Sequence, residues 1–217
     1  MKVIMDKDIP NRLYKFFDRK EHADNFIEGN IYLRPPESYR KIEGPRQDQS
    51  EGLGSIKIVE SIRQVSIPSG KWSESPGHMN TTIQFLNPTY ILCLSGSKVS
   101  SENTKRKFGE YGVEVQDIKS VAESIKTFLE KNKLNGFSVN FIKCARIAYN
   151  KDNVFTSFDI YKNFNLSFEQ KPSDYSDEDE YRLTICLELD LDYAQETKEP
   201  PYLFLQLEDM SQFVKRI

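Results

Sequence analysis

Hydrophobic and polar residues alternate along residues 181–192. Leu183, Ile185, Leu187, Leu189 and Leu191 take one face, and Arg182, Thr184, Cys186, Glu188 and Asp190 the other. The pattern predicts a strand, opened by the acidic run Ser176-Asp177-Glu178-Asp179-Glu180. If the strand reaches back through this run, Glu178 and Glu180 are two apart and point to the same side, with Arg182 on that side as well. Residues 88–95, Pro88-Thr89-Tyr90-Ile91-Leu92-Cys93-Leu94-Ser95, are nearly continuous in apolar character. That predicts a strand covered on both faces and a neighbour for 181–192. Ile118, Val121, Ala122, Ile125, Phe128 and Leu129 recur at spacings of three and four behind Asp117 and ahead of Gly136, the clearest helix in the chain.

The chain opens as strand, helix, strand. Residues 12–17 read as a short strand, and Asp18 with Glu21 three residues on reads as the N-cap of a helix that runs to Gly29. Residues 31–34 resume as strand and are stopped by Pro35-Pro36. Residues 37–54 are polar and rich in turn formers, a long loop of the kind that often carries function. Two β-like runs, 54–67 and 80–85, flank a Ser/Gly/Pro-rich turn that holds Trp72. Residues 98–107 read as a basic loop, 137–149 as a strand, 150–169 as aromatic-rich without a period, and 202–207 as the last strand. No repeat or long linker divides the chain. These elements predict one α+β domain over 1–217, β-rich, with a split sheet core and a few flanking helices.

Composition adds limits. The chain has 217 residues, 29% charged and 38% hydrophobic, an ordinary balance for a folded domain. A net charge of −3 argues against a protein that coats nucleic acid through charge alone, while leaving room for a local basic groove. Cys93, Cys144 and Cys186 are far apart and form no Cys-x-x-Cys, and the N-terminus has no apolar signal core. Both point to a reduced, cytoplasmic protein. No apolar run approaches membrane-spanning length, so no membrane partner is expected. With His22 and His78 as the only histidines, neither a metal site nor a histidine-based triad is expected.

The polar residues at predicted strand ends suggest the chemistry. Two adjacent carboxylates repel, so one is expected to hold a proton that the other lacks. A Glu-x-Glu pair suits a site that holds sugar hydroxyls or steadies a carbocation; it also suits a solvated lip. Arg12 and Lys15 on the first strand and Arg34 before the proline stop can hold a diphosphate. Ser95 and Ser97 can hold a ribose or orient a glutamate. Each residue type has a plain structural use too: exposed charges beside a strand, a Ser-Gly-Ser turn, packed tyrosines, ion pairs bracing a loop.

The ordered set Leu13-Tyr14-Lys15, Glu28-Gly29-Asn30, Ile31-Tyr32-Leu33-Arg34, Tyr39-Arg40, Arg46-x-Asp48-x-x-Glu51-Gly52, Ile91-Leu92-Cys93-Leu94-Ser95 and Glu178-x-Glu180-Tyr181-Arg182 resembles the DUF2971-like family of bacterial and phage proteins. The same order resembles the ADP-ribosyltransferase fold, in which a first-strand Arg or His, a Ser/Thr-rich strand and a late Glu-x-Glu surround NAD. In this chain those positions read Tyr14-Lys15, Ser95-Gly96-Ser97 and Glu178-Asp179-Glu180. The resemblance implies NAD as substrate, with Glu180 as the catalytic glutamate on the nicotinamide ribose and Glu178 positioning the acceptor. It implies cofactor contacts from Arg12, Tyr14, Lys15, Arg34, Tyr39, Arg46, Ser95 and Ser97. A toxin or phage-defence effector that modifies RNA, DNA or protein is implied, with an antitoxin as partner. The alternative is a non-catalytic module of the same fold that binds a nucleotide or a partner through the 37–54 loop.

Overall fold

A computed structural model describes residues 1–41, 88–97, 108–132, 134, 136–149, 169, 171, 173–188, 202–208 and 210–217, with the backbone alone of 53–66, 71–84, 154–155 and 189. The fold is α+β and mostly strand. The strands are β1 (Lys2–Met5), β2 (Leu13–Phe17), β3 (Asn30–Leu33), β4 (Leu53–Ser66), β5 (Lys71–Gln84), β6 (Thr89–Ser95), β7 (Tyr111–Val115), β8 (Phe137–Arg146), β9 (Val154–Phe155), β10 (Glu180–Leu189), β11 (Leu203–Gln206) and β12 (Val214–Arg216). The helices are α1 (Lys20–Ile27), α2 (Pro36–Arg40) and α3 (Ile118–Lys131), with a 3₁₀ turn at Ser173–Glu178.

Seven strands form the main sheet in the order β1-β8-β10-β6-β2-β7-β12. Only the β1–β8 pairing is parallel. β10 and β6 are neighbours in the interior of the sheet, as their apolar content predicts. β10 is buried on both faces, however, because Arg182, Thr184 and Cys186 are shielded as fully as Leu183, Ile185 and Leu187. With both faces shielded from water, the polar side chains of β10 must find partners inside the protein. β3 and β11 form a separate antiparallel ribbon, and β4, β5 and β9 a third sheet.

The apolar face of the main sheet carries Leu13, Leu92, Leu94, Val113, Val115, Ile142, Leu183 and Ile185, all buried. α3 packs against β1, β8 and β11 and buries Ile118, Val121, Ala122, Ile125 and Leu129, the periodic stripe of its sequence. Asp117 caps it by accepting the Ser120 N–H at 3.0 Å. α1 packs against β2, β3, β7 and β12. Its N-cap is Arg19 with no side-chain cap, so Asp18 falls one residue short of the capping position expected for it. Its C-terminal end is as expected. Gly29 takes φ +93° past the last turn, and a Cβ there would lie 2.5 Å from the Glu208 carbonyl oxygen.

Several local expectations change. Pro36 starts α2 as well as ending β3, since proline suits a first helical position. Trp72 belongs to β5, opposite Val65, and not to a turn. β11 is followed by β12, so residues 202–207 are not the last strand. β1 and β7 lack the clean alternation that marks β10, and their strand state comes from tertiary pairing. Among the described residues no helix is long and apolar enough to cross a membrane.

Candidate functional site

The middle of the main sheet is joined thinly. β2 meets β6 through a single register pair, Tyr14 opposite Ser95, while its other edge pairs with β7 along the whole strand. Beyond that pair β2 and β6 part, and Lys15–Phe17 and Leu92–Leu94 line the two sides of one cleft of about 540 Å³. The β3–β11 ribbon closes the opening through Asn30, Tyr32, Arg34 and Phe204, and α1 contributes His22, Asn25 and Phe26.

Register sets the base of the cleft. Glu180 stands opposite Ser95, and Ser95 opposite Tyr14, so the three side chains form a row across β10, β6 and β2 on one face. The Ser95 hydroxyl lies 3.1 Å from the Glu178 carbonyl oxygen, to which it donates, and accepts the Ser97 N–H at 3.3 Å. Gly96 between the serines has a steric reason: a Cβ there would run into the Asp179 carboxylate and come within 2.6 Å of the Tyr181 ring. That accounts for glycine between the two serines.

The glutamates share one side of the chain, by a route other than strand alternation. Glu178 ends the 3₁₀ turn, Asp179 takes φ +42°, and β10 begins at Glu180. The Lys171 ammonium bridges the two carboxylates, 2.6 Å from Glu178 Oε2 and 2.7 Å from Glu180 Oε2. Arg182, fully buried, donates from Nε to Glu180 Oε1 at 2.6 Å. Two carboxylates and two cations therefore form a neutral buried quartet. Burial alone would push the Glu180 carboxyl up, but Arg182 and Lys171 together outweigh it and hold it well below the ordinary range. The repulsion expected to leave a proton on one of the two carboxylates is countered by the Lys171 ammonium between them, and for Glu180 by Arg182 as well.

Backbone contacts hold this arrangement. The Lys171 N–H donates to the Ala148 carbonyl at 3.1 Å, and the Ala148 N–H donates to the Glu169 carbonyl at 2.8 Å. The Glu180 N–H donates to the Tyr149 hydroxyl at 2.7 Å. Burial raises the pKa of that phenol, which keeps it neutral. Tyr175 lies beside the quartet with its ring centroid 5.0 Å from the Lys171 ammonium.

The structure thus brings Tyr14, Lys15, Arg34, Tyr39, Ser95, Glu178 and Glu180 to one cleft. Arg12 does not line it. It lies 3.7 Å from the buried Glu114, the cross-strand neighbour of Tyr14 on the side away from Ser95, and its side chain is 64% exposed. Ser97 supports Ser95 from outside the cleft lining, and Arg46 lies outside the described residues. The sequence reading missed Lys171, Tyr149, Tyr175 and Phe108. The first two flank the aperiodic 150–169 stretch, and nothing in their local pattern marks them. His22, on α1, is exposed and sits at the cleft wall. Among the described residues, no group of three or more His, Cys, Asp and Glu side chains is placed to hold a metal ion.

No protein-family model, curated protein or solved structure matches this chain significantly.

Proposed function

We propose that the cleft binds a dinucleotide of the NAD class and that the protein is an ADP-ribosyltransferase, a toxin or phage-defence effector acting on nucleic acid or protein. The observation that carries this reading is the row Tyr14–Ser95–Glu180, which sets a serine hydroxyl and an ionised carboxylate side by side at the base of the cleft. Transfer of ADP-ribose breaks the bond from the anomeric carbon to nicotinamide, which leaves with the bonding pair. Positive charge then builds on the ribose until the acceptor attacks. A carboxylate that stays ionised and accepts ribose hydroxyls stabilises that charge. The walls suit the rest of the substrate: Tyr39, Phe17, Phe26 and Phe108 offer apolar and aromatic surface for two planar rings, and Lys15 and Arg34 offer cations for a diphosphate. A cleft of about 540 Å³ is within the range of small-molecule sites.

The neutral quartet favours a second reading, a nucleotide-binding module without transfer, because Glu180 already has two cationic partners. Incubation with labelled NAD, total RNA, DNA and cell lysate separates the two. Label in one acceptor fraction, with release of nicotinamide, supports the transferase. NAD binding with neither release nor label supports the module.

A further inference from the structure

The β3–β11 ribbon has one face in the core and one in solvent. Ile31, Leu33, Leu203 and Leu205 are buried. On the other face Tyr32 is 48% exposed, Tyr202 46% and Phe204 51%, the exposed tyrosine and phenylalanine rings among the described residues. Phe204 is the cross-strand partner of Tyr32, and the Tyr202 ring stacks on Tyr32 with centroids 4.7 Å apart and 29° between planes. The Arg34 guanidinium lies 5.7 Å from the Tyr32 centroid, and the Gln206 and Asn30 pair continues the same face. Three adjoining rings in water form an exposed aromatic patch of the kind that marks an interaction site.

We propose that this face is a stacking platform for single-stranded nucleic acid, which it delivers to the adjoining cleft as acceptor. Rings with exposed faces accept unpaired bases in any order, a guanidinium takes a phosphate or caps a stack, and amides read base edges. That mixture of aromatic, guanidinium and amide groups suits a nucleic-acid strand better than an apolar peptide face. A duplex keeps its base faces stacked internally and cannot use the rings. Continuity with the site supports the assignment: Asn30, Tyr32, Arg34 and Phe204 belong to the platform and also line the cleft, so a base stacked on Tyr32 lies at its mouth. The assignment to an acceptor role rests on the transferase reading; the platform itself does not. With a net charge of −3 over the chain, stacking rather than phosphate attraction carries the binding, so its salt dependence is shallow.

The test measures fluorescence anisotropy of short labelled single-stranded DNA, single-stranded RNA and a duplex against the full chain, without NAD. The DNA and RNA arms show which sugar is accepted. The parent should bind at least one single strand and bind the duplex more weakly. Tyr32→Ala and Phe204→Ala should each weaken binding roughly 5- to 100-fold, the range for losing one base stack. Tyr32→Phe should retain binding, and Lys215→Ala, on β12, should leave it unchanged. Circular dichroism checks that the variants fold. Failure to bind any single strand, equal affinity of the alanine variants and the parent, or preference for the duplex overturns the platform. So does sedimentation showing that the rings instead hold two copies of the chain together while no oligonucleotide binds. NAD-dependent nicotinamide release, measured without oligonucleotide, tests the cleft separately: release without strand binding defeats the platform alone, and strand binding without NAD binding defeats the transferase reading alone.

Discussion

The ammonium of Lys171 lies 2.7 Å from Glu180 Oε2, and it reaches Glu178 at nearly the same distance. One side chain from a stretch without periodicity thereby joins two glutamates that the chain separates by a backbone kink. Removing a partner from such a buried network leaves a charge without its counter-ion and costs about 3–5 kcal/mol, more than any exposed pair on this protein contributes.

The same contact predicts acid sensitivity. Burial works to raise the Glu180 carboxyl, Arg182 and Lys171 lower it by more, and in the folded protein it stays ionised well below its ordinary value of 4.5. The unfolded chain takes up the proton near 4.5, so acid favours unfolding. The contribution is complete above that pH and is lost as pH falls from 4.5 toward the folded value. Urea midpoints of the parent should drop between about pH 5 and pH 3, and Glu180→Gln should flatten that limb. Lys171→Met removes one of the lowering influences, brings the folded value closer to 4.5 and should therefore shrink the limb, whose upper edge stays at the unfolded value. Parent midpoints that stay level across this window contradict the pairing.

Leu187 is fully buried toward the C-terminal end of β10, where the register shifts between Cys186 and Leu187. Leu187→Ala should cost about 2–5 kcal/mol in urea unfolding. A variant that melts like the parent argues that this part of the sheet is loosely packed.

The cysteines should report on the cleft. Cys144 is buried, and burial pushes its thiol up to about 12, leaving almost no thiolate near neutral pH. Cys186 is equally shielded, whereas Cys93 is half-buried and lines the cleft. Alkylation followed by mass mapping should modify Cys93 first, and Cys144 and Cys186 only in denaturant. NAD should slow modification of Cys93. If NAD binds but gives no protection, the ligand lies elsewhere.

Legibility in the sequence followed periodicity. α3 was readable at its start because its stripe and its Asp117 cap agree, although it ends at Lys131, short of Gly136; β6 was readable from its nearly continuous apolar content and β10 from its alternation, while the burial of the polar face of β10 was not. β1 and β7 are not readable in this way, since their pairing with β8 and β2 supplies what local pattern does not. In the site, Tyr14, Ser95 and Glu180 could be named in order, but their alignment depends on register between strands, which no local window contains. Lys171 was missed for the same reason: its role comes from lying across Ala148 and reaching the glutamates in space. The Glu-x-Glu run was read as the opening of a strand. Its first half instead forms a 3₁₀ turn, because the alternation that marks β10 does not extend back past Glu180.

Glu180 carries the decisive prediction for function. If its carboxylate accepts the hydroxyls of the nicotinamide ribose and faces the charge that develops at the anomeric carbon, its value lies in the transition state more than in the bound ground state. Glu180→Gln keeps the shape and a hydrogen-bond acceptor and removes the charge. Label transfer and nicotinamide release should fall on the order of 10²–10³ while NAD affinity changes little. The substitution also takes one counter-charge from the buried Arg182, so some loss of stability is expected, and rates should be compared at a temperature where both proteins are folded. Glu188→Gln is the control: Glu188 is an exposed residue of the same strand, beyond the register shift and away from the cleft lining, and the variant should transfer label as the parent does. Undiminished transfer by folded Glu180→Gln would remove the carboxylate from the chemistry and the transferase assignment with it. Loss of NAD affinity in step with rate would instead give Glu180 a role in holding the nucleotide, as the binding-module reading requires.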